Sequence, residues 1–344
     1  MLNKKGFAEL IGVAQHTASR WEKGDTDEPS PEHVKKMAEA LGYPVEFFYR
    51  PDVDEPVSAS FRNLTSMSAA HRDAALTAGS IGFLVSDWIE ERFDLPKINV
   101  PDLHLYEPEI AARVLREDWG LGEKPISNAL HLLESKGVRV FSLSENTATI
   151  NAYSIWRRGK PYVFLNTFKS AESSRFDAAH ELGHLVLHQD SGFTGREAED
   201  QANRFASAFL MPRADVLATI PIVRSLEQLL HLKQRWRVSL AALNYRLHSL
   251  GLTTQWRYRD FCIELTKRGF HREEPNPIPR EQSVVWTKVL AALWAEKTTQ
   301  THIARDLSVP ESELNDLIFG IAHAGMSKRP NKKVTLSVIQ GDNA

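Results

Sequence analysis

The chain has one cysteine, Cys262, among 344 residues, so it can close no disulfide within itself. That excludes the disulfide-stapled secreted folds and fits a reducing compartment. No apolar run approaches the roughly 20 residues that a membrane-spanning helix needs. The opening MLNKKGFAEL has neither the apolar core nor the small-residue cleavage site of a secretory signal. Charge of one sign is also scarce. The net charge is −2, so no overall field points to nucleic acid or to an anionic membrane. Low-complexity tracts are missing as well. These absences imply a soluble, cytoplasmic protein with no membrane partner. What is present is ordinary globular composition, 42% hydrophobic and 25% charged, in a chain long enough for about two or three domains.

Punctuation divides the chain. Residues 1–50 hold short helical segments broken by GV, GDTDEPSP and GYP, and the acidic, proline-bearing YRPDVDEPVSAS that follows reads as a linker. Residues 68–95 carry apolar side chains at helical spacing, closing a linker-and-helix segment over 51–104. From 105 to 215 the pattern alternates. PEIAARVLREDWGL and PISNALHLLESKG read as helices, and VRVFSLS, TINAYSIW and PYVFLNT read as strands. Residues 216–344 read as helical, with a solvated basic stretch, SKRPNKK, near the end. The expected fold class is α+β: an all-α N-terminal module, a central domain with a small sheet, and a helical C-terminal region.

The stretch FDAAHELGHLVLHQD carries the chemistry. Ser174 and Asp177 stand three apart before it, as in a capping box, and predict a helix start there. His180 and His184 are four apart, so they face one side of a helix about 6 Å apart along its axis. Two imidazoles at that spacing can converge on one Zn²⁺ at about 2.0–2.1 Å. Glu181, between them, can hold and deprotonate a water beside the ion. A buried glutamate without a partner costs several kcal/mol or shifts its pKa, so a chance match is the weaker explanation.

A catalytic zinc needs a third protein ligand. The longer pattern H-E-x-x-H-x-x-G-x-x-H is absent, because Leu187 and Asp190 occupy its last two defined positions. His188 lies about 12 Å beyond His180 along a continuous helix, too far to share the ion, and reads as a support for a ligand or as a surface histidine. The helix in EDQANRFASAFLMP offers Glu199, with Glu197 and Asp200 as rivals. The apolar stripe Ala202, Phe205, Ala206, Phe209 favours Glu199, which shares the core-facing side. Asn203, one turn on, would orient a histidine through its free ring nitrogen. PYVFLNT would be an edge strand able to hold an extended peptide, or an ordinary core strand. Tyr153, His188 and Arg175 are the candidates for an oxyanion partner.

RFDAAHELGHLVLH followed by EDQANRFASAFLMP resembles the ImmA/IrrE family of bacterial metallopeptidases, as do the flanking INAYSIWRRGKPYVFLN and WRVSLAALNYRLHSLGL. The resemblance covers roughly residues 107–250. It implies a zincin fold over 105–215, one zinc per chain at His180, His184 and Glu199, and Glu181 as the catalytic acid/base. It also implies site-specific proteolysis of a helix-turn-helix repressor.

FAELIGVAQHTASRWEKG has helix-turn-helix spacing, with Ala8 at the helix contact, Gly12 at the turn, and Ala18 and Trp21 facing inward. With LGYPVEFFY it resembles a Cro/C1-type (XRE) domain. The resemblance implies that Gln15, His16 and Arg20 face the major groove and Thr17 and Ser19 the backbone. The family's opening helix is missing before KKGFAELIG, which leaves Leu10 and Trp21 short of cover and anticipates either an upstream start or a weakened module. Seven Lys/Arg against eight Asp/Glu in residues 1–50 supply no basic surplus, so phosphate affinity would depend on Lys4, Lys5, Arg20 and Lys23. QTHIARDLSVPESELNDLIFG repeats the spacing weakly and reads as a packing module. The expected function is a DNA-binding transcriptional regulator with a zinc-dependent endopeptidase domain that cleaves a repressor or antitoxin-like partner. The rival reading is a non-enzymatic regulator, or a toxin–antitoxin or phage-related module, whose zincin domain is a sensor or scaffold.

Overall fold

Asn3 caps the first helix, α1 (Lys4–Ile11), by accepting the Gly6 amide at 2.8 Å. Gly12 ends it with φ 75°, a left-handed conformation that costs glycine little. The pair continues with α2 (Gln15–Lys23), and α3 (Pro31–Leu41) closes the module behind its Ser30 cap. Ala8, Ile11, Val34 and Ala38 are buried where these helices meet. Trp21 is half-buried against the His33 ring, and Leu10 is 61% exposed.

The computed structural model describes residues 3–25, 28–54, 69–143, 152–189, 195–220, 222–270 and 272–322. Part of the acidic linker and the whole of SKRPNKK lie outside the described residues. The described end of the linker is engaged, because Asp54 accepts from Arg157 Nε at 2.8 Å and pairs with Arg158.

The central unit is α+β, as its patterning requires. Its elements run α4 (Ala69–Glu90), α5 (Pro108–Asp118), α6 (Ala129–Ser135), β1 (Arg139–Ser142), β2 (Tyr153–Arg157), β3 (Lys160–Leu165), α7 (Ala171–Leu187) and α8 (Arg196–Leu210). The sheet order is β1-β3-β2, with β1 parallel and β2 antiparallel to β3. This decides between the two readings of PYVFLNT in favour of a core strand. β3 is central and paired on both sides, as its nearly continuous burial demands. Stacked aromatics, Tyr153 on Phe164 and Phe164 on Phe141, cover the sheet on the α4 side. Gly82 on α4 makes room for them, since a Cβ there would lie 2.8 Å from the Phe164 ring.

The rest of the chain is helical: α9 (Arg213–Thr219), α10 (Leu226–Trp236), α11 (Leu240–Ser249), α12 (Gln255–Lys267), α13 (Val284–Ala295), α14 (Gln300–Leu307) and α15 (Glu311–Phe319). The α14–α15 pair is a packing module. Leu314, Leu317 and Ile318 are buried, and the Ser142 hydroxyl of β1 donates to the Asp316 carbonyl. The N-terminal module rests on this pair. Arg50 donates to the Asp306 carbonyl at 3.0 Å, and burial together with Glu313 raises the pKa of Tyr43. No helix among the described residues is long and apolar enough to cross a membrane.

A buried charge triad fixes α7 against the C-terminal helices. Lys233 of α10, fully enclosed, lies 3.0 Å from both Glu172 in the first turn of α7 and Glu274. Ile278 donates its amide to Glu172 and Leu240 its amide to Glu274, each at 2.9 Å. Removing one member of such a set strands the other charges away from water. Lys233→Ala is therefore expected to destabilise the chain by about 3–5 kcal/mol. A denaturant midpoint within error of the parent would contradict this account.

Candidate metal centre

The helix that carries His180 begins about one turn earlier than Ser174 and Asp177 imply. Ser170 is its cap, with extended backbone and a hydroxyl that accepts the Ser173 amide at 3.1 Å. Both residues of the expected box are used otherwise. Ser174 donates to the Asn166 carbonyl at 3.0 Å and Asp177 accepts from Lys169 at 2.8 Å. The chain leaves β3 through a short turn, so the first serine after that turn takes the cap.

α7 and α8 meet at Gly183. A Cβ at that position would lie 3.0 Å from the Phe205 ring and 3.2 Å from the Ala202 Cα. The apolar stripe Ala202, Phe205, Ala206, Phe209 is fully buried in this contact. Glu199 is thereby brought one turn before the contact, opposite His180 and His184. Glu197 and Asp200 are exposed and outside the cluster.

The three side chains converge. The Nε2 atoms of His180 and His184 are 3.1 Å apart. Glu199 Oε2 lies 3.3 Å from His180 Nε2, and Glu199 Oε1 lies 3.3 Å from His184 Nε2. Ligands at about 2.0–2.1 Å in a tetrahedron stand about 3.3 Å apart, so this spacing suits zinc.

Hydrogen bonds behind the cluster assign its protons. His180 Nδ1 donates to Asn203 Oδ1 at 3.0 Å, which leaves lone-pair density on its Nε2. His188 Nε2 donates to Gln201 Oε1 at 3.0 Å, so His188 Nδ1 accepts from His184 Nδ1 at 2.9 Å. His184 Nε2 then carries a lone pair as well. Two imidazole lone pairs and a carboxylate face one another, and the buried Glu199 Oε1 makes no aligned hydrogen bond. A proton or a cation must lie among them, and a divalent cation satisfies all three donors at once. The donor set therefore fits Zn²⁺.

The titration behaviour agrees with that crowding. Burial disfavours charge on His180, but the hydrogen bond to Glu199 and nearby carboxylates outweigh it and raise its pKa. Burial takes His184 down to about 4. Burial also opposes the Glu199 carboxylate, but the two histidines overcome it and hold its pKa well below the usual range. Glu181 is enclosed beside them, and burial pushes its pKa up to about 7. Its Oε2 accepts from the Ser154 hydroxyl of β2 at 2.7 Å.

Ser154 and Gln201 were not legible as site residues. Their partners lie on α7, and no local spacing links either to the histidines. The three oxyanion candidates are occupied. Tyr153 donates to the Ala75 carbonyl at 2.7 Å, Arg175 is buried against Glu281, and His188 bridges His184 and Gln201.

In the N-terminal module, Gln15, His16 and Arg20 are exposed on α2, and Thr17 and Ser19 are half-buried. Two cations expected for phosphate are engaged, Lys4 with Glu22 at 2.7 Å and Lys5 with Glu9 at 3.9 Å.

The paired helices, small sheet and His-His-Glu cluster form a domain able to hold a metal ion, and the first helices form a helix-turn-helix. Comparison with known families agrees. Residues 133–248 match a peptidase family described as the IrrE N-terminal-like domain, and residues 1–48 match the helix-turn-helix family. The chain thus fuses an XRE-type helix-turn-helix domain to an ImmA/IrrE-like peptidase domain. No curated protein matches it.

Glu199→Ala is expected to abolish stoichiometric zinc, measured by elemental analysis of the purified protein. Asn203→Ala should weaken zinc by roughly 10–100-fold in a chelator competition, because it releases the His180 ring. Undiminished zinc affinity in Asn203→Ala would remove its orienting role.

Proposed function

We propose that the chain is a DNA-binding transcriptional regulator whose central domain is a zinc-dependent endopeptidase acting on a helix-turn-helix repressor or antitoxin-like partner in the cytoplasm. The observation that carries this reading is the convergence of His180, His184 and Glu199 from α7 and α8, with Glu181 enclosed beside them. His180, His184 and Glu199 would hold the zinc, and Asn203 and His188 would keep the two rings turned toward it. Zinc, when bound, supplies Lewis-acid polarisation of a peptide carbonyl and lowers the pKa of water.

Glu181 is the proton carrier. Ser154 holds one of its carboxylate oxygens, which leaves the other to take a proton from water and return it to the departing amine. The same contact sets β2 beside Glu181. β2 pairs with β3 along one side only among the described residues, so an extended peptide can add to its other side by backbone hydrogen bonds. The chain's own linker suits that role poorly. It is acidic, Pro51 and Pro56 donate no backbone hydrogen, and Asp54 is held by Arg157.

Incubation with zinc and helix-turn-helix repressors encoded nearby should yield partner fragments by mass spectrometry. Glu181→Gln should keep the metal and abolish those fragments. Loss of zinc in Glu181→Gln would assign the roles wrongly, and metal-dependent cleavage within residues 50–62 would favour autoprocessing instead.

On DNA, Gln15, His16 and Arg20 are the base-facing residues of α2, with Thr17 and Ser19 toward the backbone. Arg20→Ala is expected to lower affinity for a fragment of the protein's own promoter by about tenfold, and Gln15→Ala to relax base preference. Unchanged binding in both variants, measured at fixed salt, would take recognition away from α2.

A further inference from the structure

Away from the metal centre, α5, α9 and α11 enclose a cavity of about 510 Å³ together with the loop after α5. That volume falls in the range of small-molecule sites, roughly 300–1,000 Å³. His180, His184 and Glu199 do not line it. Its charged wall is unusual in composition. Arg113 and Arg116 come from one face of α5, Arg213 from α9 and Arg246 from α11. Glu109, Glu117 and Glu123 also line it, so four arginines against three glutamates leave one net positive charge.

The two inner arginines are buried. Arg116 donates to the carbonyls of Gly122 at 2.8 Å and of Phe209 and Lys124 at 2.6 Å each. Its hydrogens are satisfied by neutral oxygens, and Glu123 and Asp215 act on its charge only through space. Arg246 donates to the Met211 carbonyl at 2.9 Å and to Glu109 at 2.8 Å. The two outer arginines, Arg113 and Arg213, are exposed and make no ion pair among the described residues. Burial disfavours the Arg246 charge, Glu109 offsets part of that cost, and Arg213 adds a smaller repulsion from across the cavity wall. An anion beside Arg113, Arg213 and Arg246 would offset the part of that cost that Glu109 leaves. Beside the guanidiniums, one turn from Arg113 and from Arg213 on the same helices, Ile110 and Leu217 offer apolar surface, each about 40% exposed.

We propose that this cavity binds a small organic anion, its oxyanion head held by Arg113, Arg213 and Arg246 and its apolar body against Ile110 and Leu217. Guanidinium forks match phosphate and carboxylate oxygens in pairs, which fits either head. The apolar wall excludes a bare inorganic ion as the best occupant, because such an ion leaves Ile110 and Leu217 uncovered.

Isothermal titration of the full chain with phenyl phosphate, benzoate and phenol tests this. Saturable binding near one site per chain is expected for at least one of the two acids and not for phenol. The stronger acid identifies the head. Arg113→Gln combined with Arg213→Gln changes only exposed side chains and should weaken binding at least about tenfold, with the melting temperature preserved. Leu217→Asp should weaken it as well. Binding should persist in Glu181→Gln and after chelation, which separates this site from the metal centre. The proposal is overturned if neither acid saturates, if phenol binds equally well, if the double variant keeps full affinity, or if chelation abolishes binding.

Discussion

The close approach of α7 to α8 at Gly183 is the constraint on which the site depends. A methyl group there would press on Phe205 and on the Ala202 backbone, and interiors packed at crystal density do not yield cheaply. Separation of the two helices by even the width of a methyl would carry Glu199 away from both histidines. It would also part His180 from Asn203 and His188 from Gln201, since all three residues on the α8 side ride the same helix. One small residue thus governs three side-chain pairings. The buried stripe beneath them supplies the adhesion, and the polar cluster at its edge inherits the geometry.

The second level of organisation is the fastening of that helix pair to everything else. Glu172 and Arg175, on the N-terminal half of α7, are held by Lys233 and Glu281. The C-terminal end of α8 is held by Arg116 and Arg246 through main-chain carbonyls. The helix-turn-helix module at the N-terminus is tied into the same body by Arg50 and Tyr43 on α14 and α15, and α15 leans on β1. The helix-turn-helix module, the sheet and the two helices of the candidate metal centre therefore share one packed framework.

Much of this was legible because its signals are local. The four-residue spacing of His180 and His184 survives into a single unbroken helix, and the stripe from Ala202 to Phe209 marks which side of α8 faces inward. The helix-turn-helix shows in Ala8 and Gly12 for the same reason. What stayed hidden depends on partners far along the chain. The order of strands in the sheet is not written in any one strand, so β3 passed as an edge candidate though it is central. Ser170 and Ser174 are equally good caps by composition, and only the path out of β3 decides between them. Lys233 sits in a polar-looking helix, where nothing nearby announces two buried carboxylates. Ser154 looks like any small residue of a strand until Glu181 is set against it.

The fastening of α7 has a bearing on biogenesis. Arg175 and its partner Glu281 are 106 residues apart, and Glu172 and Lys233 are 61 apart. A ribosome adding about 5–20 residues per second emits the H-E-x-x-H segment on the order of ten seconds before the residues that anchor it. Throughout that interval the ligand helix exists without its anchors, and loop closure of that length is slow to be rewarded. The candidate metal centre thus cannot gain these anchors until residues 233 to 281 have been made. A nascent chain carries the letters of the metal site well before it has the shape of one.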